Sequence, residues 1–290
     1  MPLISLFIAA AGVAGGIWYI SAFGFDSFIK QAFGGFIAVV LMVVSAIYSL
    51  IKKFVTYYDF TVYRDGRDLH VRCGLIKLRS YTIPVDKITA IEIEQPLISR
   101  ALKKYSAKVV TVGVGDEAGE NSNITMSLSR EELKEHLSEL IPEYGWAQME
   151  GVGKEAKGSM AVRIAKSVKW HIMTAAAVLI LYLAAGVPLW ISLAAPLAAD
   201  AFINLLYVLS HVTAGYSVKD EGLLLVGGYF RKVYTICTYK KMQILTMNYR
   251  PAARRLGIGD GVVMLLNSFA GIPYVKQEQA FEISKRIIRG

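Results

Sequence analysis

Long stretches without a charged side chain constrain this chain more than any other feature. Leu3 to Phe25 carries none, and after Asp26 and Lys30 the run from Gln31 to Ile51 carries none either. Each run exceeds the roughly 20 helical residues needed to cross a hydrocarbon core. Trp170 to Ala199 repeats the pattern, Asp200 interrupts it, and Ala201 to Val218 continues it. One helix cannot use all of this length. Gly186, Pro188 and Trp190 mark a tight turn, with Trp190 at the far interface. The expectation is four transmembrane helices in two hairpins, at 1–53 and 169–211, the second pair at about 170–187 and 190–211. Gly12, Gly15, Gly16, Gly34 and Gly35 permit close helix contact in the first pair. The first run reads as a retained helix, because no Lys or Arg precedes it and it is too long for a signal-peptide core.

The chain is 54% hydrophobic and 19% charged, with a mean hydropathy of +0.42. The apolar excess sits in the runs, and the remainder is water-soluble in character. Lys52 and Lys53 follow the second run, and Lys166 and Lys169 precede the third, whereas the hairpin tips hold only Lys30. Positive charge on the cytoplasmic side then puts both soluble parts and both termini in the cytoplasm.

The soluble parts repeat each other. Phe60-Thr-Val-Tyr-Arg-Asp-Gly66, Gly74, Tyr81-Thr-Ile83 and Lys87-Ile88 recur as Tyr216-Ser-Val-Lys-Asp-Glu-Gly222, Gly227-Gly228, Tyr234-Thr-Ile236 and Lys241-Met242. Arg100-Ala-Leu102 and Lys108-Val-Val-Thr recur as Arg254-Arg-Leu256 and Val262-Val-Met-Leu. Period-2 alternation at Leu69, Val71 and Cys73, at Ile91 and Ile93, and at Ile124, Met126 and Leu128 predicts half-buried antiparallel strands. Asp65-Gly66 and Glu221-Gly222 read as hairpin turns. Ser129 and Glu132 have capping-box spacing before a helix with Leu133, Leu137 and Leu140 on one face, and Ala280, Ile283 and Ile287 make a similar face. Two modules of about seven strands and one helix follow, at 54–145 and 212–290. The linker at 146–168 is flexible and becomes helical from about Ala161.

This order of features resembles the bacterial pleckstrin-homology-like domain, through the opening strands and turns, Gly74 and Gly228, the Tyr-Thr-Ile stretch with Pro84, and the Gln95-to-Leu102 segment with Arg100. Alternation of such domains with paired membrane helices resembles the YdbT-like group. The first module fits better, since Cys237 and Thr238 stand near the place of Pro84 and Tyr249 replaces Gln95. The resemblance implies two partly open β-barrels, each capped by a C-terminal helix. It also implies a link to envelope stress or resistance to membrane-active peptides.

Charge divides unevenly. Residues 54–168 hold 16 basic and 16 acidic residues, whereas 212–290 hold 12 basic and 5 acidic. Arg231, Lys232, Lys240, Lys241, Arg250, Arg254 and Arg255 are candidates for an anionic surface, and Lys77, Arg79, Arg100, Lys103 and Lys104 form the matching group. The alternative is an ordinary solvated face. Nucleic acid is not expected, for want of interleaved aromatics. Asp200 is the sharpest single residue, placed near mid-bilayer with Asn204 one turn away, and is either a proton or substrate group or a polar fastener between helices. Cys73 and Cys237 read as small buried hydrophobes rather than a disulfide. The four histidines lack metal-ligand spacing, and Gly113-Val-Gly115 and Gly257-Ile-Gly259 lack the rest of a nucleotide loop, so Gly113 to Asn123 is a polar connection. The expected function is a membrane-anchored binding or scaffolding protein without cofactor or enzymatic activity. Its partners are membrane lipids and a membrane protein or a second copy, and transport through Asp200 is the alternative.

Overall fold

The computed structural model describes residues 25–111, 123–147, 149, 151–183, 188–266 and 268–289. The expected first membrane helix, the turn at Gly186 and the loop after Gly113 lie outside them. The chain divides into two compact units. The described part of the first comprises residues 25–61 and 72–80; the second comprises 62–71 and 81–290.

In the first unit, helix α1 (Phe25–Thr56) ends in Lys53 and the edge-to-face pair Phe54 and Tyr58. Its end is tied to the 72–80 segment by Gly74 N–H donating to the Tyr58 carbonyl and Leu75 N–H to the Val55 carbonyl, at 2.8 and 2.9 Å.

The repeat appears element by element. The first module runs β1 (Thr61–Asp65), β2 (Asp68–Cys73), β3 (Arg79–Pro84), β4 (Ile88–Gln95), α2 (Leu97–Ala101), β5 (Tyr105–Thr111), β6 (Asn123–Leu128) and α3 (Arg130–Leu140). After a two-residue strand β7 (Gly153–Lys154) come the helices α4 (Ser159–Leu183) and α5 (Leu189–Thr213). The second module is β8 (Gly215–Val218), β9 (Gly222–Gly227), β10 (Lys232–Thr238), β11 (Met242–Asn248), α6 (Pro251–Arg255), β12 (Ile258–Leu265), β13 (Ser268–Lys276) and α7 (Gln277–Arg289). Each module thus has six strands among the described residues, not seven.

Two features fix the alignment of the copies. Gly74 and Gly228 share φ of +116° and +110°, and a Cβ on either would collide with the carbonyl oxygen three residues on. The 3-10 turns Val85–Lys87 and Tyr239–Lys241 are also equivalent. Both pairs have the same separation, so Cys237 is the counterpart of Ile83, and the two Tyr-Thr-Ile strings are out of register by one residue. A slip of one residue exchanges the faces of a strand: Cys237, the counterpart of the buried Ile83, is buried on one face of β10 and its neighbour Ile236 on the other. Glu221-Gly222 lies at the turn that joins β8 and β9 into a hairpin, as expected. Gly222 opens β9 without positive φ, and is glycine because a Cβ would strike the Cys237 carbonyl.

The modules are not closed barrels. Each is built from two three-stranded groups, and the modules share a sheet. β1-β2-β3 and β11-β12-β13 form separate sheets, while the central seven-stranded sheet runs β6-β5-β4-β10-β9-β8-β7. β4 pairs antiparallel with β10 from Lys232 opposite Gln95 to Cys237 opposite Ala90. Ala90, though in the first module, joins the second module's core with Leu223, Leu225, Cys237, Val263 and Ile283. Ile91, Ile93 and Ile236 are buried by the opposite face. Around this junction Arg231 pairs with Glu94 at 2.9 Å, Lys241 donates to the Asp86 carbonyl, and the Tyr144 hydroxyl donates to the Ile88 carbonyl at 3.2 Å.

α3 starts in the expected capping box of Ser129 and Glu132 and buries Leu133 and Leu140. Arg64 of β1 clamps both carboxylate oxygens of Glu143, at 2.9 and 3.1 Å, just beyond α3, and holds that carboxyl below the usual glutamate range. Cys237 and Cys73 are buried and unbridged, and burial pushes both thiols up, Cys237 to about 12.

Two helical spans among the described residues, Val39–Thr56 and Ser192–Thr213, are long and apolar enough to cross a membrane, rather than the expected four. α4 begins two residues before Ala161, and its first half carries Arg163, Lys166 and Lys169. The flexible linker is also corrected. Gly153 and Lys154 pair with Tyr216 and Gly215 at the sheet edge, and Glu155 and Ala156 are buried.

Gly228→Ala is expected to cost at least about 1–3 kcal/mol, because a positive-φ site would gain a colliding Cβ. Gly227→Ala, where nothing lies within 4 Å of the added atom and φ is not positive, should change stability by under about 1 kcal/mol. Thermal unfolding of the detergent-solubilised chain measures the contrast.

Candidate functional site

Helices α4 and α5 pack antiparallel along a polar seam. Ser159, Arg163, Ser167 and His171 recur every four residues and share one face of α4. Asp200, Asn204 and His211 occupy α5. His171 Nδ1 stands 2.9 Å from both carboxylate oxygens of Asp200. Asn204 Nδ2 donates to Asp200 Oδ2 at 3.1 Å and to its main-chain carbonyl at 2.8 Å. The Thr174 hydroxyl approaches Asp200 Oδ1 at 3.5 Å, and His171 Nε2 meets Ser167 Oγ at 3.2 Å.

Asp200 therefore lies level with His171, two residues from Lys169, whose ammonium stands 5.0 Å from the Trp170 ring centre. His171 is midway along α4, and Asp200 falls within the apolar span Ser192–Thr213. The sequence reading missed His171, because a partner on another helix leaves no local spacing to detect.

Further along the seam is a buried ionic cluster. Glu155, with its side chain 1% exposed, receives Arg163, itself 12% exposed, on one oxygen and His211 Nδ1 on the other at 3.0 Å. Tyr274 N–H donates to the same carboxylate at 3.4 Å, Arg163 also donates to Ser210 Oγ at 2.9 Å, and Ser159 Oγ meets His211 at 3.2 Å. The Tyr274 ring lies beneath Arg163 and Lys166, and Lys166 pairs with Asp260 at 3.2 Å. Burial and the charge of Asp260 push the Tyr274 phenol up to about 12, so it stays neutral at physiological pH. The cluster joins the segment before α4, both helices and two strands of the second module. No sequence signal marked Glu155, since its partners are eight, 56 and 119 residues away.

The basic candidates separate into two groups. Arg231 and Lys241 are engaged at the module junction, Lys104 pairs with Glu132 at 3.7 Å, and the Lys232 ammonium lies 4.7 Å from the Tyr234 ring centre. Lys240, Arg250, Arg254 and Arg255 are exposed, as are Arg100 and Lys103. Lys77 is exposed and Arg79 half-buried. α6, which carries Arg254 and Arg255, packs through Ala252 and Ala253 against Val162 of α4 and Tyr274.

Removing one member of a buried ion pair strands its partner. Glu155→Ala should therefore destabilise the chain by about 3–5 kcal/mol. Arg163→Met in the same molecule should restore part of that loss, as a double-mutant cycle by thermal unfolding would show.

A family model for the bacterial PH domain matches residues 5–142 and again 162–290. A transmembrane protein of Bacillus subtilis (strain 168), UPF0699 transmembrane protein YdbT, is 27% identical over 124 residues, which is 41% of this chain and 25% of the relative. The chain thus matches a quarter of that relative's length. No solved structure matches significantly. The two matches coincide with the two structural copies, and the chain belongs to the bacterial PH domain family as a membrane-associated protein with a duplicated domain.

Proposed function

We propose that this protein is a membrane-anchored, non-enzymatic binding platform whose second module is held against anionic headgroups at the cytoplasmic leaflet. The carrying observation is the seat of α6. Its Ala253 packs on Val162, eight residues before Trp170 on the same helix. At 1.5 Å per residue this is about 12 Å from the membrane interface that Lys169 and Trp170 mark. An arginine side chain spans about half of that, and the remainder is within the Debye length of about 8 Å at physiological ionic strength. Arg250, Arg254 and Arg255 are exposed there, and each well-placed basic residue near an anionic surface contributes about 1 kcal/mol.

Lys52, Lys53, Lys166 and Lys169 favour the cytoplasmic orientation. On this reading Asp200, level with His171 and close to Lys169, sits near the headgroup side. Its donors from His171, Asn204 and Thr174 suit a fastener between α4 and α5 better than a transport site. A platform that reads headgroup charge also suits resistance to membrane-active peptides, because cationic peptides compete for the same phosphates. The shared sheet carries strands of both modules, which suits capture of a protein partner beside the membrane.

The test is hydrogen exchange of residues 250–257 in the full chain reconstituted into nanodiscs. Phosphatidylglycerol-containing discs should protect this segment relative to phosphatidylcholine discs. High salt, or Arg250→Gln with Arg254→Gln and Arg255→Gln, should abolish the difference. Equal exchange in both lipids would remove the lipid-contact reading.

A further inference from the structure

We infer that β11 is a docking edge for a second copy of this chain, which adds its β3 there as an antiparallel strand. The duplication supplies the argument. β4 and β11 are counterparts: both follow a 3-10 turn, and both show the same register shift two residues into the strand, between Ile88 and Ala90 and between Met242 and Ile244. Within one molecule the outer edge of β4 is filled by β10. The outer edge of β11 carries no strand among the described residues, because β11 ends its sheet. The counterpart of β10 is β3, which likewise ends its sheet. The chain therefore holds one complete junction and, separately, both halves of another.

The surface of β11 fits this occupant. Ala90 is 0% exposed because β10 brings the second module's core over it. Its counterpart Ile244 is 53% exposed, a bulky apolar side chain on an open strand edge, where charges usually deter pairing. On the other face Leu245, Met247 and Tyr249 line a groove of about 900 Å³ that continues under Leu256 and Phe281 of α7. A strand laid along this edge gains main-chain hydrogen bonds and side-chain burial together.

The register follows from the internal junction. Carried over position by position, Ile83 faces Ile244, Thr82 faces Leu245 and Tyr81 faces Thr246. Pro84, counterpart of Thr238, falls outside the paired stretch, which in the internal junction ends at Cys237. The ion pair does not repeat, since Lys77 and Asn248 stand where Arg231 and Glu94 do. The junction between copies therefore lacks the charge pair that supports the internal one. Because β11 of one copy takes β3 of the next, the contact is heterologous and permits assemblies beyond a dimer.

The test uses two differently tagged full-length copies in one membrane, one carrying Tyr81→Cys and the other Thr246→Cys, treated with a short bis-maleimide. Cys73 and Cys237 are buried and give little background. Cross-linking between the two copies is expected, with species larger than a dimer when each chain carries both substitutions. It should fall at least tenfold when Ile244→Lys is added to the Thr246→Cys copy. Unchanged thermal unfolding of the Ile244→Lys chain would show that the loss is not misfolding. An absent product, or an equal yield with Gln243→Cys in place of Thr246→Cys, would overturn the inference. Capture of a different protein by Thr246→Cys without the second copy would also overturn it.

Discussion

The backbone pairing of β4 with β10 is the interaction on which the rest of this molecule depends. Two modules of about 80 residues, each with an open strand edge, can either blunt their edges or join them. Here they join, and Ala90 enters the neighbour's core while Ile91 and Ile93 are buried on the opposite face of the strand. One strand thereby buries residues on both of its faces, and its pairing with β10 ties the modules together through a shared sheet. The exposed Arg231–Glu94 pair adds little stability, whereas the Tyr144 bond to the Ile88 carbonyl is buried.

A second constraint acts where helices leave apolar surroundings for aqueous ones. α4 and α5 run on into the soluble body without a break, and their polar residues line the seam between them. Glu155 is the centre of this transition. A carboxylate so deeply buried is tolerable only with Arg163, His211 and a backbone N–H directed at it. The cluster couples the helical pair to the second module, so the basic α6 is carried at a defined height along α4 and not on a tether.

Much of this architecture was legible in the chain. Duplication, strands with period-2 burial, the capping box at Ser129 and the glycine at 74 and 228 all rest on local chemistry that repeats. The misreadings were local as well. The two Tyr-Thr-Ile strings look alike but occupy different faces, because string similarity does not register the collision of a Cβ at Gly228, which anchors the true alignment. The stretch around Glu155 looked like a linker because its glycines and mixed charges have no pattern, yet its partners lie on three distant elements. Among the exposed arginines, composition could assign a basic module but not say which members were already engaged.

Taken alone, the sequence determined that long uncharged segments alternate with a repeated β-rich module, since apolar run length and strand periodicity are written residue by residue. Only the tertiary structure decided that the modules share a sheet, that Asp200 meets His171, and that Glu155 is buried. Each of those depends on which distant backbone or side chain arrives opposite, and long-range pairing leaves no periodic trace along the chain.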